Sequence, residues 1–167
     1  MNGKRVSVAV MGVGLALMLG LTGCGLAPRA PRVDAKTANA LPEATVTDFY
    51  DWYTDYVTDE ESGGMRNAIL DGALRGHAAV TPELADAKKA EVEAMTMGGY
   101  DPIMCAQDLP GELRIDDVVV SDGEASLTVH GVWNAGTEFE SMSNIGVALR
   151  QTEAGWQITR IECLPWS

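Results

Sequence analysis

The 167-residue sequence predicts an α+β domain, with helices in its first half and a four-stranded antiparallel sheet in its second. Three observations carry this expectation. Apolar residues recur with helical spacing between positions 44 and 58, the pattern shifts to β-rich alternation after position 112, and Asp122-Gly123 supplies a strong two-residue hairpin signal. Helices followed by hairpins form layers in which the helices cover one face of the sheet.

In the first helix, expected over residues 44–58, Val46, Phe49, Tyr50, Tyr53, Tyr56 and Val57 make the apolar side. Asp48, Asp51, Asp55 and Asp59 share the other side, within an arc of roughly 80° at ~100° per residue. That stripe lacks the loop order and glycine of a calcium-binding loop and reads as a solvated face. Gly63-Gly64 break the helix. Met65, Ile69, Leu70, Ala73 and Leu74 then fit a short second helix, weakened by Gly72 and stopped near Gly76. A third opens at Thr81-Pro82-Glu83, a capping hydroxyl followed by proline at the first helical position, and runs to about Met97 before Gly98-Gly99.

Strands are expected over 113–121 and 124–134, and again over 139–152 and 156–163 with a turn at Glu153-Ala154-Gly155. On the second strand Leu127, Val129 and Trp133 fall on one side, and Thr128, His130 and Val132 on the other.

Ahead of this domain, Lys4 and Arg5 precede a mostly apolar run over 6–21. It is shorter than the ~20 apolar residues that cross a bilayer and reads as a secretion leader. The run ends in Leu21-Thr22-Gly23-Cys24, which resembles the lipobox of bacterial lipoprotein signal peptides. Small Thr22 and Gly23 admit a peptidase, and the Cys24 thiol accepts a diacylglyceryl group. The alternative is ordinary cleavage beside an incidental cysteine, but the downstream candidate between Ala30 and Pro31 puts proline just after the cut. Two or more acyl chains would hold the mature protein on a membrane. The expected organisation is a signal peptide at 1–23, a lipidated cysteine with a flexible tether at 24–42, and one domain at 43–167. Gly25 follows the cysteine where some two-membrane bacteria use aspartate as an inner-membrane signal, so the resemblance implies the periplasmic side of an outer membrane if the cell has two.

The formal charge of −12, from 12 basic and 24 acidic residues, repels phosphate backbones and argues against nucleic acid as a partner. Charge is unevenly divided. The tether carries Arg29, Arg32 and Lys36 against Asp34, and 23 acidic residues lie beyond it. Those cations either rest on anionic headgroups or simply solubilise a linker. Cys105 and Cys163 are left to form one bridge in an oxidising compartment, worth about 4 kcal/mol on a chain-entropy argument, or to remain buried free thiols. His77 and His130 stand alone, without Cys-x-x-Cys or His-Glu-x-x-His, so no metal and no cofactor is expected.

Three stretches share a resemblance: Phe49-Tyr50-Asp51-Trp52-Tyr53, Asp101-Pro102-Ile103-Met104-Cys105-Ala106-Gln107-Asp108, and Trp156-Gln157-Ile158 with Ile161. Together they resemble the bacterial lipoprotein family labelled domain of unknown function 3828, over about residues 47–165. The resemblance implies a fold of the nuclear transport factor 2-like superfamily, in which a strongly curved antiparallel sheet wraps helices into a cone with a pocket. It implies no activity.

Asp101-Pro102 biases the chain to an extended or turned path, and Gln107 or Asp108 can bond the loop's own backbone. Alternatively Asp101, Gln107 and Asp108 face a pocket mouth with Trp52 and Tyr53, where a buried carboxylate with a raised pKa would abstract a proton. His130 is expected on the outer sheet face. No Gly-x-Ser-x-Gly elbow, phosphate loop or dinucleotide fingerprint occurs. The expected function is that of a non-enzymatic envelope lipoprotein binding a protein partner or a small apolar molecule. The alternatives are a small cofactor-free lyase or isomerase using Asp101, Asp108 or His130, and an architectural spacer. A cavity of about 300 Å³ or more with convergent polar groups would favour a ligand or chemistry, and a filled interior a partner or spacer role.

Overall fold

The structure is a computed structural model that describes residues 41–59, 66–95 and 99–165. The leader, Cys24 and all but the last two residues of the expected tether lie outside the described residues. Among the described residues no helix is long and apolar enough to cross a membrane.

Helix α1 spans Pro42–Val57 and begins earlier than its apolar spacing suggests. Proline lacks an N–H and has a helix-compatible φ, so Pro42 serves as the first helical residue, buried, with the Leu41 carbonyl accepting from Thr45 N–H at 3.1 Å. Position 42 therefore belongs to the domain and not to the tether. The expected second helix is reduced to one turn, α2, at Ala73–Gly76. Gly72 at φ 78 leaves the helical region, and Asn67 Oδ1 accepts from the N–H groups of Ile69 and Leu70, so the chain before it turns instead of coiling. Helix α3 spans Pro82–Ala94, and the Thr81 hydroxyl accepts from Leu84 N–H as a cap.

Four strands follow as an antiparallel meander in the order β1-β2-β3-β4: Glu112–Ser121, Glu124–Trp133, Ser141–Thr152 and Gly155–Leu164. Asp122 at φ 51 and Gly123 at φ 78 make the primed turn that their sequence predicts. The β3–β4 turn is also two residues, Glu153 and Ala154, with Thr152 and Gly155 paired across it. Phe139, expected to begin β3, stands 72% exposed in a turn where Thr137 N–H bonds Asn134 C=O.

Alternation divides the sheet. Ala125, Leu127 and Val129 of β2 and Ser143, Ile145, Val147 and Leu149 of β3 face the helices, where the apolar residues meet Val46, Phe49, Tyr50 and Tyr53 of α1 and Leu84 and Ala85 of α3. This is the α+β layer the sequence predicts. His130 takes the opposite face, where Nδ1 lies 2.8 Å from Asn144 Oδ1 and Nε2 lies 3.6 Å from Asp116. Val132, on that same face, is nevertheless fully buried.

Both sheet edges differ from the middle. Near Ile158 the β4 edge is covered by residues 79–81, which bond Ile158 through both its N–H and its C=O. At the other edge, β1 bulges at Asp117, φ 54, and pairs with no second strand among the described residues.

Candidate binding cleft

The loop between α3 and β1 builds one wall of a cleft, and it is held as part of the core. Ile103 and Met104 are buried. Asp101 N–H donates to Ala106 C=O at 2.7 Å, and Cys105 N–H donates back to Asp101 C=O at 2.7 Å, closing a tight turn. Tyr50 donates to Ile103 C=O at 3.2 Å, Ser143 to Met104 C=O at 3.3 Å, and Trp133 Nε1–H to Leu109 C=O at 3.0 Å. A disulfide joins Cys105 to Cys163 of β4 with a Cα–Cα distance of 5.4 Å, as the pairing expectation requires.

Asp101 organises this turn. Its Oδ1 accepts from Ile103 N–H at 2.7 Å and from Met104 N–H at 3.1 Å, and its Oδ2 accepts from the Tyr53 hydroxyl at 2.8 Å. Burial first, and then the neighbouring Asp101 charge, push the Tyr53 pKa far above the ordinary tyrosine value. The Tyr50 hydroxyl is raised for the same two reasons. Both phenols therefore remain donors across the physiological range. With both carboxylate oxygens committed to the loop and α1, Asp101 is arranged as a brace; a general base needs a lone pair directed at substrate.

The cleft has a volume of about 650 Å³ and lies between the C-terminal ends of α1 and α3 and this loop. Tyr53, Asp101, Gln107 and Asp108 all line it, as expected for a pocket mouth. Gln107 and Asp108 are exposed, and neither makes a hydrogen bond or ion pair among the described residues. Val57, Ile69, Val92, Met104 and Leu109 supply apolar lining.

Trp52 is not part of the cleft. One residue along a helix is a rotation of ~100°, so Trp52 points away from Tyr53's side and stacks on His77 with ring centroids 4.2 Å apart. Burial lowers the His77 pKa, and its Nδ1 accepts from Ala79 N–H at 3.3 Å. His130 stands on the opposite side of the sheet from the helices and cannot share a reaction centre with Asp101 or Asp108.

Arg66, Asn67 and Tyr100 also line the cleft and were not singled out by sequence. Arg66 stacks over Tyr56 at 3.9 Å and pairs with Asp59 and Asp71; Tyr100 donates to Glu91 at 3.2 Å. They sit in irregular segments, where no periodicity marks the facing side. Among the described residues no three His, Cys, Asp or Glu side chains cluster in a way that would hold a metal ion.

No family model matches the sequence, and no curated protein matches it significantly. Solved structures do resemble its fold. A chain of the native type VI effector-immunity complex Tae3-Tai3 from Ralstonia pickettii is 17% identical, with a TM-score of 0.52, covering 75% of this chain and 97% of that one. The selenomethionine form of that complex gives 16% identity and the same TM-score, covering 76% and 99%. A protein of unknown function from Bacteroides thetaiotaomicron is 23% identical over 74% of this chain and 90% of its own, with a TM-score of 0.47. At its identity, the likeness to the effector-immunity chain is one of fold.

Proposed function

We propose that this chain is a lipid-anchored envelope protein whose domain works by binding, with the cleft walled by the 99–109 loop as its ligand site. The observation that carries the binding reading is the bonding of Asp101. The carboxylate best placed for acid–base work in the cleft is committed to Tyr53, Ile103 and Met104, while the exposed amide of Gln107 and carboxylate of Asp108 remain to meet a ligand. At about 650 Å³ the cleft falls within the ordinary range of small-molecule sites.

The anchor rests on the lipobox-like Leu21-Thr22-Gly23-Cys24, and the disulfide supports an oxidising compartment outside the cytoplasm. The resemblance to the domain of unknown function 3828 family, and through it a cone of the nuclear transport factor 2-like kind, belongs to this same proposal. So does placement on the periplasmic side of an outer membrane in a two-membrane cell.

Two measurements test it. Membrane fractionation should move a Cys24→Ser protein from the pellet to the soluble fraction, and an unchanged pellet would remove the anchor. In a ligand screen by thermal shift, hits should lose affinity when Gln107 and Asp108 are both changed to alanine in an otherwise folded protein. Hits indifferent to that double substitution would place the ligand elsewhere. Turnover of a substrate abolished by Asp108→Ala without unfolding would replace binding with catalysis.

A further inference from the structure

The helices do not cover the whole inner face of the sheet. Helices α1 and α3 pack toward β4, and among the described residues no helix packs over the inner face beside the other edge strand, β1. Here a groove of about 440 Å³ runs between α1 and β1. Half-buried Leu113 and Ile115 supply its accessible apolar surface over the buried Tyr50 and Val129, and Asp51 and Asp55 stand on its α1 wall. Both carboxylates are exposed, and neither has a cationic partner among the described residues.

Among the described residues no segment pairs with the outer edge of strand β1, which borders this groove. Exposed edges are normally blunted by charged side chains, proline, bulges or a covering segment, and the first part of β1 carries Arg114, Asp116 and the bulge at Asp117. Beyond its bulge, β1 instead shows Val118-Val119-Val120, with Val119 61% and Val120 54% exposed. In a two-residue hairpin the flanking pair, here Ser121 and Glu124, exchanges ladder bonds, so the N–H and C=O of Val120 point to the free edge.

We propose that this edge and groove receive an extended, basic polypeptide segment of a partner protein, which pairs with β1 as a fifth strand. The charge of this surface selects the occupant. Lysine or arginine side chains on the inner side of such a strand would lay their stems over Leu113 and Ile115 and bring their charged ends to Asp51 and Asp55. Alternate side chains would project to the outer face, where apolar groups would cover Val119. The segment is therefore one in which basic and apolar residues alternate. A second copy of this acidic chain is disfavoured, because Asp116, Asp117 and Asp122 bracket the valines and would meet their own like in an antiparallel pair. This surface is separate from the cleft, and its occupancy depends on neither the cleft nor the anchor.

The test uses the full-length Cys24→Ser protein with its disulfide formed, and a fluorescent peptide of sequence Lys-Val-Lys-Val-Lys-Val-Lys followed by anisotropy near physiological salt. Two comparison peptides carry the same charge: one N-methylated at alternate amides, which blocks strand pairing, and one with its lysines and valines in separate blocks. The alternating peptide should bind at least tenfold more tightly than either, and should slow hydrogen exchange at Val120. The double substitution Asp51→Asn with Asp55→Asn, on exposed positions, should weaken it roughly fivefold, as expected for two surface ion pairs. Equal binding of the N-methylated peptide, indifference to the aspartate substitutions, or protection confined to other strands would overturn the proposal. So would a concentration-dependent dimer whose β1 amides are protected without any peptide.

Discussion

Replacing Asp101 by alanine is the sharpest test of how the cleft wall is built. The substitution removes the acceptor of three hydrogen bonds at once, from Tyr53 at 2.8 Å, Ile103 N–H at 2.7 Å and Met104 N–H at 3.1 Å. Tyr53→Phe removes only the first. A hydrogen bond to a charged group contributes about 1.5–3 kcal/mol, less where water can replace a partner, and Asp101 is only half-buried. On that scale Tyr53→Phe should cost about 1.5 kcal/mol and Asp101→Ala about 4 kcal/mol, since two amides also lose their acceptor. The pair should not be additive. With Asp101 gone the tyrosine hydroxyl has nothing to donate to, so the double variant should lie about 1 kcal/mol or more above the sum of the singles in stability. Urea unfolding of oxidised Cys24→Ser protein, with far-ultraviolet circular dichroism as the probe, measures all four corners of the cycle. Should Tyr53→Phe change stability by less than about 0.5 kcal/mol, or Asp101→Ala cost no more than Tyr53→Phe, the brace would not exist as described.

Three further outcomes follow from the same packing. A Cβ added at Gly131 would meet Ser143 Oγ at 2.8 Å, Pro110 Cγ at 3.3 Å and the Trp133 ring at 3.3 Å, so Gly131→Ala should destabilise by about 1–3 kcal/mol, read from the urea midpoint. Because burial depresses the His77 pKa, the unfolded chain binds a proton there more readily; its contribution is complete above the ordinary histidine value of about 6.5 and is lost as pH falls from there through the lower folded pKa. Fluorescence of Trp52, stacked on that ring, should change over the same acid range, and a His77→Phe protein should lose that part of the pH dependence. Reducing the Cys105–Cys163 bridge, which spans 58 residues, should cost about 4 kcal/mol without releasing the loop, because Asp101, Tyr50, Ser143 and Trp133 still hold it. Loss of slowly exchanging amides in 101–109 on reduction would contradict that.

Part of the cleft was legible because local chemistry specifies it. Asp101-Pro102 announces a turn, but the side chain that bonds the loop's backbone is that of Asp101, to the amides two and three residues on, and not that of Gln107 or Asp108 as the sequence suggested. That Tyr53 and not Trp52 would meet this turn was not legible. Spacing set Tyr53 and not Trp52 on the apolar side of α1, but it gives no signal of which later segment that side meets. The second helix failed for a related reason. Apolar spacing over 65–74 counts residues on one face but ignores that Gly72 adopts φ 78 and that Asn67 competes for the first amides. The boundary at Pro42 was misplaced because proline counts toward a linker in composition and toward a helix start in position.

By itself the sequence determined the order of helices and strands, the hairpin turn at Asp122-Gly123 and the α3 start at Thr81-Pro82. It also marked the cysteines able to pair, because each depends on spacing or residue type within a few positions. Only the tertiary structure decided which cysteine approach is realised, which carboxylate is consumed by bonding, and which sheet edge stays open. Those outcomes turn on contacts between residues 40 to 60 positions apart, such as Tyr53 with Asp101 and Cys105 with Cys163. Long-range pairing is set by how the layers pack as a whole, and no local pattern in the chain encodes it.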